Sequence, residues 1–410
     1  MLHRVNRLAA GLALAGCASF SHAAGFALIE QNASGLGNAY AGAGAVAQDA
    51  STVFFNPAGM TYLPDRQVVI AGHLILPQAE FSGEVDPTSI GGGNGGDAGS
   101  LAFVPNAYFA FRLTPAVHLG VGMNAPFGLK TEYDPGWKGR TQTIESEIKT
   151  ININPSIAWK ASESLSLGAG LSLQYAEATL SNSANGAGIA KVQGDDYGWG
   201  FNLGLLWQPS AATRVGLAYR SEVEHTLEGD VVFSGAPQGN GAVTAATTLP
   251  DSASLSLFHK LSPKWDLLAD VSWTGWSDFR ELRIVRNSGA TLTATPQNWS
   301  DSYRYSVGAN YHLSDKTTLR GGFAFDETPT SDTYRTARIP DEDRTWVAFG
   351  VQYRMSERTV LDIGYAHIFV KDARIDKTEA SNIPPLTDIN LSGTYKGSVD
   401  ILSAQLTLNF

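Results

Sequence analysis

The chain has 410 residues, 43% hydrophobic but only 17% charged, with 43 glycines, one cysteine and a formal net charge of −10. Charge falls well below the roughly 25% of ordinary soluble domains, yet mean hydropathy is near zero and no apolar run reaches the ~20 residues a membrane helix requires. The acidic balance speaks against a nucleic-acid partner. High glycine and aromatic content with low charge and no spanning helix is the composition of a transmembrane β-barrel, where apolar and polar residues alternate and hydropathy averages out.

Residues 1–23 read as a secretory signal. Arg4 and Arg7 form its basic start, Leu8 to Ala15 its apolar centre, and Ser21-His22-Ala23 a small-x-small cleavage site. Cleavage after Ala23 leaves a mature chain without cysteine, so disulfide and thiolate chemistry are closed to it. Leu14-Ala15-Gly16-Cys17 is a competing lipobox, which would instead hold an acylated Cys17 in a membrane leaflet. Residues 24–65 are rich in Gly and Ala, low in charge, and end on Asn56-Pro57-Ala58-Gly59-Met60. This stretch reads as an internal plug, or hatch, for the tube that follows. A plug keeps its N-terminus in the lumen, so the lipidated start and the hatch exclude each other.

From residue 66 to 410 the chain alternates with period 2, the periodicity of a strand with two distinct faces. Tyr303, Tyr305, Val307, Ala309, Tyr311 and Leu313 share one face, and Arg304, Ser306, Gly308, Asn310 and His312 the other. The C-terminus repeats this with Leu402 to Phe410 against Ser403, Gln405, Thr407 and Asn409. Short polar connections at 114–115, 161–164, 209–212, 262–263, 314–316 and 356–358 alternate with longer ones at about 82–99, 128–142, 179–194, 224–249, 287–300, 327–342 and 371–395. Six short and seven long connections give fourteen antiparallel strands with both ends on one side. Short periplasmic turns and long outer loops are the habit of outer-membrane barrels, and an even count leaves no free edge in lipid. Trp265, Trp273, Trp276, Tyr303, Tyr311, Tyr353 and Tyr365 are expected in outward interfacial girdles. Gly204, Gly216, Ala218, Gly308, Ala348, Gly350, Gly364 and Ala366 are expected on the lumen side, leaving room for a plug or ligand.

An ordered set of motifs resembles the FadL-type family of outer-membrane transporters for long-chain fatty acids and related hydrophobic compounds. The set runs from Gly25-Phe26, Ser34-Gly35-Leu36-Gly37-Asn38-Ala39 and Asn56-Pro57-Ala58-Gly59-Met60 through Asn124-Ala125-Pro126-Phe127-Gly128-Leu129 and Trp199-Gly200-Phe201-Asn202. It continues with Tyr219-Arg220-Ser221-Glu222-Val223, Trp273-Thr274-Gly275-Trp276-Ser277, Gly322-Phe323-Ala324-Phe325-Asp326 and Ile339-Pro340-Asp341-Glu342-Asp343-Arg344. The resemblance implies a fourteen-stranded barrel closed by an N-terminal hatch, capture of cargo on outer loops, and a pocket beside the N-terminus. Rearrangement of the hatch would then open a sideways exit where the third strand is kinked.

Strand three would run over about 116–125, and Pro126 with Phe127-Gly128 gives a local cause for a kink, because proline removes a ladder donor and glycine weakens pairing. Alternatively, Pro126 ends the strand at a loop. Fatty-acid members are expected to hold the carboxylate with a polar residue at the kink and two basic residues elsewhere, but those positions fall here on Ala125, Glu177 and near Thr295, none of them basic. Either Arg304, Arg320 or Lys160 supplies the charge, or the cargo is a neutral aromatic or aliphatic hydrocarbon.

The candidate ligand-binding residues are therefore Phe26, Leu28, Ile29, Trp137, Arg304 and Arg320, with Asn56, Pro57 and Ala58 as the hatch anchor. Ala125, Pro126, Phe127 and Gly128 form the exit. Trp137, between Gly136 and Lys138-Gly139-Arg140, reads either as an exposed capture surface for amphiphiles or as an interfacial anchor. Asp341-Glu342-Asp343 reads as a solvated acidic loop, with a divalent cation bridging to lipopolysaccharide as the other possibility. The histidines are scattered and none sits in a nucleophile motif, so no enzyme, cofactor or resident metal is expected. The expected partners are a hydrophobic small molecule and outer-membrane lipid and lipopolysaccharide, with the chain working as a monomer. A non-selective porin and a surface receptor or adhesin are the rival classes.

Overall fold

A computed structural model describes residues 25–184, 188–380 and 388–410. The signal, its cleavage site and Cys17 lie outside the described residues. In chain order the strands are β1 (Arg66–Asp86), β2 (Ala102–Thr114), β3 (Val117–Asn124, resuming as Gly128–Glu132), β4 (Glu145–Lys160), β5 (Leu165–Ser183) and β6 (Ile189–Ser210). Then come β7 (Thr213–Arg220 and Val223–Phe233), β8 (Gly241–Leu249 and Ser252–Ser262), β9 (Trp265–Thr274 and Glu281–Arg286) and β10 (Thr291–Pro296 and Ser302–His312). The last four are β11 (Thr317–Asp326), β12 (Arg344–Arg354), β13 (Thr359–Val370 and Ala373–Ala380) and β14 (Asp388–Asn409). Each strand pairs antiparallel with its neighbour in sequence, and β14 returns to β1 in register from Gln67↔Asn409 to Asp86↔Asn390. The sheet is thus a closed fourteen-stranded antiparallel barrel.

The alternating pattern has the polarity of a membrane wall. Tyr303, Tyr305 and Val307 are 42%, 43% and 58% exposed, whereas Ser302, Arg304 and Ser306 between them are buried. Leu402 is exposed while Ser403, Gln405 and Thr407 are buried. Apolar outside and polar inside reverses a soluble sandwich and matches a lipid-facing exterior. Among the described residues no helix is long and apolar enough to cross a membrane.

Two expectations need correction, and of the two readings of Pro126 the break within the strand is the one observed. Several long connections are largely strand: β7 and β8 run up to Phe233 and from Gly241, so the region read as a loop over 224–249 contains a turn of only seven residues. Polar residues there keep strand geometry above the apolar band because their ladder bonds remain available. β3 does not end at Pro126 but breaks and resumes at Gly128. Trp276 is not in an outward girdle; it is fully buried, because β9 is interrupted by a 3₁₀ turn at Trp276–Asp278 that swings the indole inward.

Before β1, residues 25–65 form short pieces: α1 (Ala33–Leu36), α2 (Ala43–Val46), α3 (Thr52–Phe55) and a 3₁₀ turn at Pro57–Tyr62. None reaches the length at which an isolated helix is stable, so their shape is imposed by packing. Their neighbours are small residues on the polar face of the wall. A Cβ added to Gly350 would sit 2.9 Å from the Cα of Gly37, and one on Gly308 would sit 3.0 Å from the Cβ of Asn38. The close approach therefore requires glycine at both positions.

Gly350→Leu tests this contact, since overpacking costs roughly 1–3 kcal/mol. The variant barrel is expected to assemble with unchanged heat-modifiable mobility, while deuterium exchange of residues 33–46 rises. Unchanged exchange would show that the segment does not depend on this contact.

Candidate functional site

The site is organised by the break in β3. Pro126 has no N–H to donate, and the chain leaves the ladder between Asn124 and Gly128. Toward β4, Thr150 patches the break: its Oγ1 accepts from Phe127 N at 3.0 Å and donates to Phe127 O at 2.7 Å. Toward β2 there is no such repair. The register of β2 with β3 stops at Ala107↔Met123, while Ala102 to Asn106 remain paired with β1 alone.

The N-terminal residues meet this gap. Leu28 N donates to Pro126 O at 2.8 Å, and Gly128 N donates to Phe26 O at 2.9 Å, which makes Ala27 a one-residue bridge to Phe127. Gln31 Nε2 donates to Ala125 O at 2.9 Å. From the other side of the gap, Asn106 Nδ2 donates to Glu30 O at 2.9 Å and Tyr108 Oη to Gln31 O at 3.0 Å. Residues 26–31 thus satisfy backbone groups that the break exposes and touch both strands flanking it.

Phe26 is enclosed by aromatic rings. Phe127, Trp276, Phe279 and Trp299 lie at centroid distances of 6.1, 4.6, 5.8 and 5.8 Å. Edge-to-face pairs of this kind are each worth about 0.5–1.5 kcal/mol beyond area burial. Gly25 precedes them at φ +63°, where a Cβ would meet Trp299 at 2.7 Å and Trp276 at 2.8 Å. Its N–H donates to Asp341 Oδ2 at 2.9 Å, and Thr328 Oγ1 donates to the same oxygen at 2.7 Å. Asp341 also pairs with Arg344, Glu342 pairs with Arg335 and Lys371, and Asp341 and Glu342 are buried. The expected solvated acidic loop is therefore a buried ion-pair cluster that holds the backbone at Gly25, because Arg335 and Arg344 fold onto it.

Between residues 27–55 and the wall lies a mostly apolar cleft, lined by Leu28, Ile29, Phe54, Phe55, Pro126 and Phe127. Arg220, Arg304, Asp270 and Asp326 bring charge to its wall. Leu28, Ile29 and Arg304 line this cleft, whereas Phe26 sits in its cage. Ala125 and Gly128 are engaged through their backbones. Arg320 is elsewhere: it is buried, donates to Ser34 O and pairs with Asp362 at 2.8 Å. Lys160 pairs with Glu163 at a short turn. Glu177 accepts from Gln193 at 2.9 Å.

Trp137 is fully buried rather than an exposed capture surface. It stacks on Tyr133 at 4.0 Å and donates Nε1–H to Thr143 O at 2.7 Å inside the outer-loop cluster. Asn56 accepts from Ala58 N and donates to Gly44 O at 2.7 Å and Leu205 O at 3.0 Å, capping the 3₁₀ turn that starts at Pro57. Arg220, quoted only within a motif, was missed as a site residue. Its guanidinium lies 4.2 Å from the Phe54 ring centroid and donates to Phe54 O at 2.9 Å and Ser172 Oγ at 3.1 Å.

Glu30 was missed too. It is fully buried and neither carboxylate oxygen has a hydrogen-bond partner among the described residues. Burial pushes its pKa up to about 7, against the opposing pull of its own backbone N–H, Arg304 and Arg344.

A closed antiparallel barrel with an apolar exterior and a polar, occupied interior is an outer-membrane β-barrel. The family described as outer membrane protein transport protein (OMPP1/FadL/TodX) matches residues 14–410, and the chain belongs to it. It is 30% identical over 421 residues to the long-chain fatty acid transport protein of Escherichia coli O6:H1, covering 92% of this chain and 93% of that one. It is 30% identical over 464 residues to outer membrane protein P1 of Haemophilus influenzae, covering all of both. Among solved structures it resembles a Pseudomonas aeruginosa FadL homologue with TM-score 0.88 at 25% identity, over 94% of this chain and 100% of that one. It shares the fold of the Ralstonia pickettii toluene transporter TbuX with TM-score 0.66 at 20% identity, over 93% and 100%.

Glu30 makes docking of the N-terminal segment pH-dependent. Its docked pKa lies above that of a free carboxyl, so docking is strongest below about 4.5 and weakens as pH rises through about 7. Deuterium exchange of residues 26–36, corrected for intrinsic rate, is expected to be faster at pH 8 than at pH 5. In Glu30→Gln this difference should vanish.

Proposed function

We propose that the protein is a passive outer-membrane channel for hydrophobic molecules, with long-chain fatty acids as cargo. Residues 24–65 act as the hatch, and cargo leaves sideways through the gap between β2 and β3. The observation that carries this reading is the apolar cleft that touches both Leu28-Ile29 and the Pro126-Phe127 break, so that cargo in the cleft lies against the residues covering the gap. The driving force is transfer of apolar surface from water to the cleft and then to lipid. It requires no cofactor, nucleotide or catalytic group, and a barrel closed on itself works as a monomer. Cleavage after Ala23 leaves the free end that the hatch needs.

Fatty acid is favoured over a neutral hydrocarbon by the guanidinium groups of Arg220 and Arg304 in the cleft wall. Burying a carboxylate without a cation costs several kcal/mol, and these two replace the basic residues missing at Glu177 and Thr295. A relative at 30% identity is by name a long-chain fatty acid transport protein.

Gly128→Trp is expected to block the exit without unfolding the barrel. Oleate uptake by cells that rely on this protein should fall about tenfold, with unchanged heat-modifiable mobility of the purified variant. Wild-type uptake in that variant would rule out the lateral path. Steady ion conductance of the wild type in planar bilayers would favour an open porin instead.

A further inference from the structure

The wall has a further break, between β8 and β9. On its periplasmic side Ser252 pairs with Thr274, and on its outer side Thr244 pairs with Val285. In between, Gly275 N donates to Asp251 O at 3.0 Å, but no backbone hydrogen bond joins residues 245–250 to residues 276–284. β9 uses more chain than β8 to cross this interval, and the excess turns inward at Trp276–Asp278. It carries Trp276 and Phe279 to the cage around Phe26, where Leu249 joins them from the opposite lip. Phe26 also meets Phe127 at the β3 break. One ring thus sits on the inner side of both breaks. The cleft has the same reach, being lined by Pro126 and Phe127 at one break and by Pro250 and Thr274 at the other.

The two breaks face different surroundings. Around the β3 break the exposed residues Phe103, Val121 and Ile151 are apolar. Beside the β8–β9 break the exposed apolar residues end at Leu255 and Val271, half-buried Trp273 follows, and the lip itself exposes Ser277, Asp278 and Arg280. Aromatic rings mark the edge of the apolar band, so this break opens on the polar layer above the hydrocarbon. Inside it, Trp276 and Trp299 are buried, and neither indole N–H has a partner among the described residues. A buried indole usually finds an acceptor, and the oxygen of a polar head group is one. We infer that the β8–β9 break is a side inlet, through which an amphiphile with an oxygen-bearing head group enters the cleft from the polar layer, and that Phe26 closes it. This rests on the proposed channel reading and adds to it the route of entry. The head group passes the two indole donors and the tail follows into the apolar cleft. Withdrawal of Phe26 clears the inner side of the inlet. Because Phe26 O accepts from Gly128 N, the same movement loosens the cover of the β3 break. Entry and exit are then under the control of one residue.

Cys17 is the chain's only cysteine and lies in the expected signal, so a cysteine placed on the barrel can be labelled selectively. Ser277→Cys puts one on the lip of the break, and Gln193→Cys puts one on β6, where pairing is continuous on both sides. Each variant is treated on intact cells with a polyethylene glycol maleimide. Oleate uptake by cells that rely on the protein should fall about fivefold after labelling of Ser277→Cys and stay unchanged after labelling of Gln193→Cys. Equal uptake before and after labelling of Ser277→Cys overturns the inlet, as does an equal loss in both variants. Absence of oleate uptake by the unlabelled wild type overturns the channel reading itself, which separates the two failures. The role of Phe26 is read from Leu249→Cys on the purified protein in lipid vesicles. Its cysteine should react with a water-soluble maleimide about tenfold faster when Phe26→Ala is added. An unchanged rate, with heat-modifiable mobility showing both barrels assembled, overturns closure by Phe26.

Discussion

Within a bilayer each backbone N–H and C=O must find a partner inside the protein. The closed ladder from β1 round to β14 meets most of that demand, but beside Pro126 β3 leaves β2. The missing partners come from Phe26, Leu28 and Gln31, residues that belong to no strand of the wall. The integrity of the wall at this point therefore depends on a segment that is not covalently part of it. Hydrogen bonds of this kind contribute about 0.5–1.5 kcal/mol each. Three or four of them with one aromatic cage give a docking energy that a bound ligand can match. A ligand shifts an equilibrium only by its differential affinity for the two states, so a modestly held segment is a requirement of gating.

The two ends of the segment are held by different physics. Toward β1, Asn56 makes directional bonds to Gly44 and Leu205, Thr52 donates to Asn56 O, and Arg220 lies over Phe54. Directional bonds to rigid backbone fix position. Toward the N-terminus, Phe26 is held mainly by ring contacts and Gly25 by one bond to Asp341. Between the ends, Gly37 against Gly350 lets backbone slide past backbone with no side chain to interlock.

The wall was readable in the sequence because its signal is local: parity along Tyr303 to Leu313 or Leu402 to Phe410 assigns each face from the residues themselves. What escaped depends on chain returning from far away. Trp276 lies three residues after Trp273, so the two cannot share a face of one regular strand, but only the turn at Trp276–Asp278 shows that the second indole points to Phe26. Trp137 stands among cations that suggest exposure, and its burial comes from stacking on Tyr133 four positions away. The acidic run at Asp341 reads as solvated until Arg335, Arg344 and the N–H of Gly25 are seen to converge on it and on Glu342. Pro126 marked the break correctly, but what covers the break, Glu30 and Gln31, carries no motif that composition or spacing would single out.

The charges in the cleft bear on the nature of the cargo. The buried guanidinium of Arg304 costs several kcal/mol in lost hydration, while Arg220 is only partly buried. Structural need accounts for Arg320, which is matched by Asp362 and the carbonyl of Ser34. It does not account for Nε and Nη1 of Arg304, which are buried without a partner among the described residues. Arg220 likewise spends its bonds on Ser172 and the carbonyl of Phe54, with no carboxylate in ion-pair range among the described residues. Asp270 and Asp326 line the same cleft, with Asp326 directly across the strand from Arg304, so its wall carries both signs of charge. The apolar lining from Leu28, Ile29, Phe54 and Phe55 suits a hydrocarbon tail, and in the proposed fatty-acid reading Arg220 and Arg304 are the cations beside which its head group would lie.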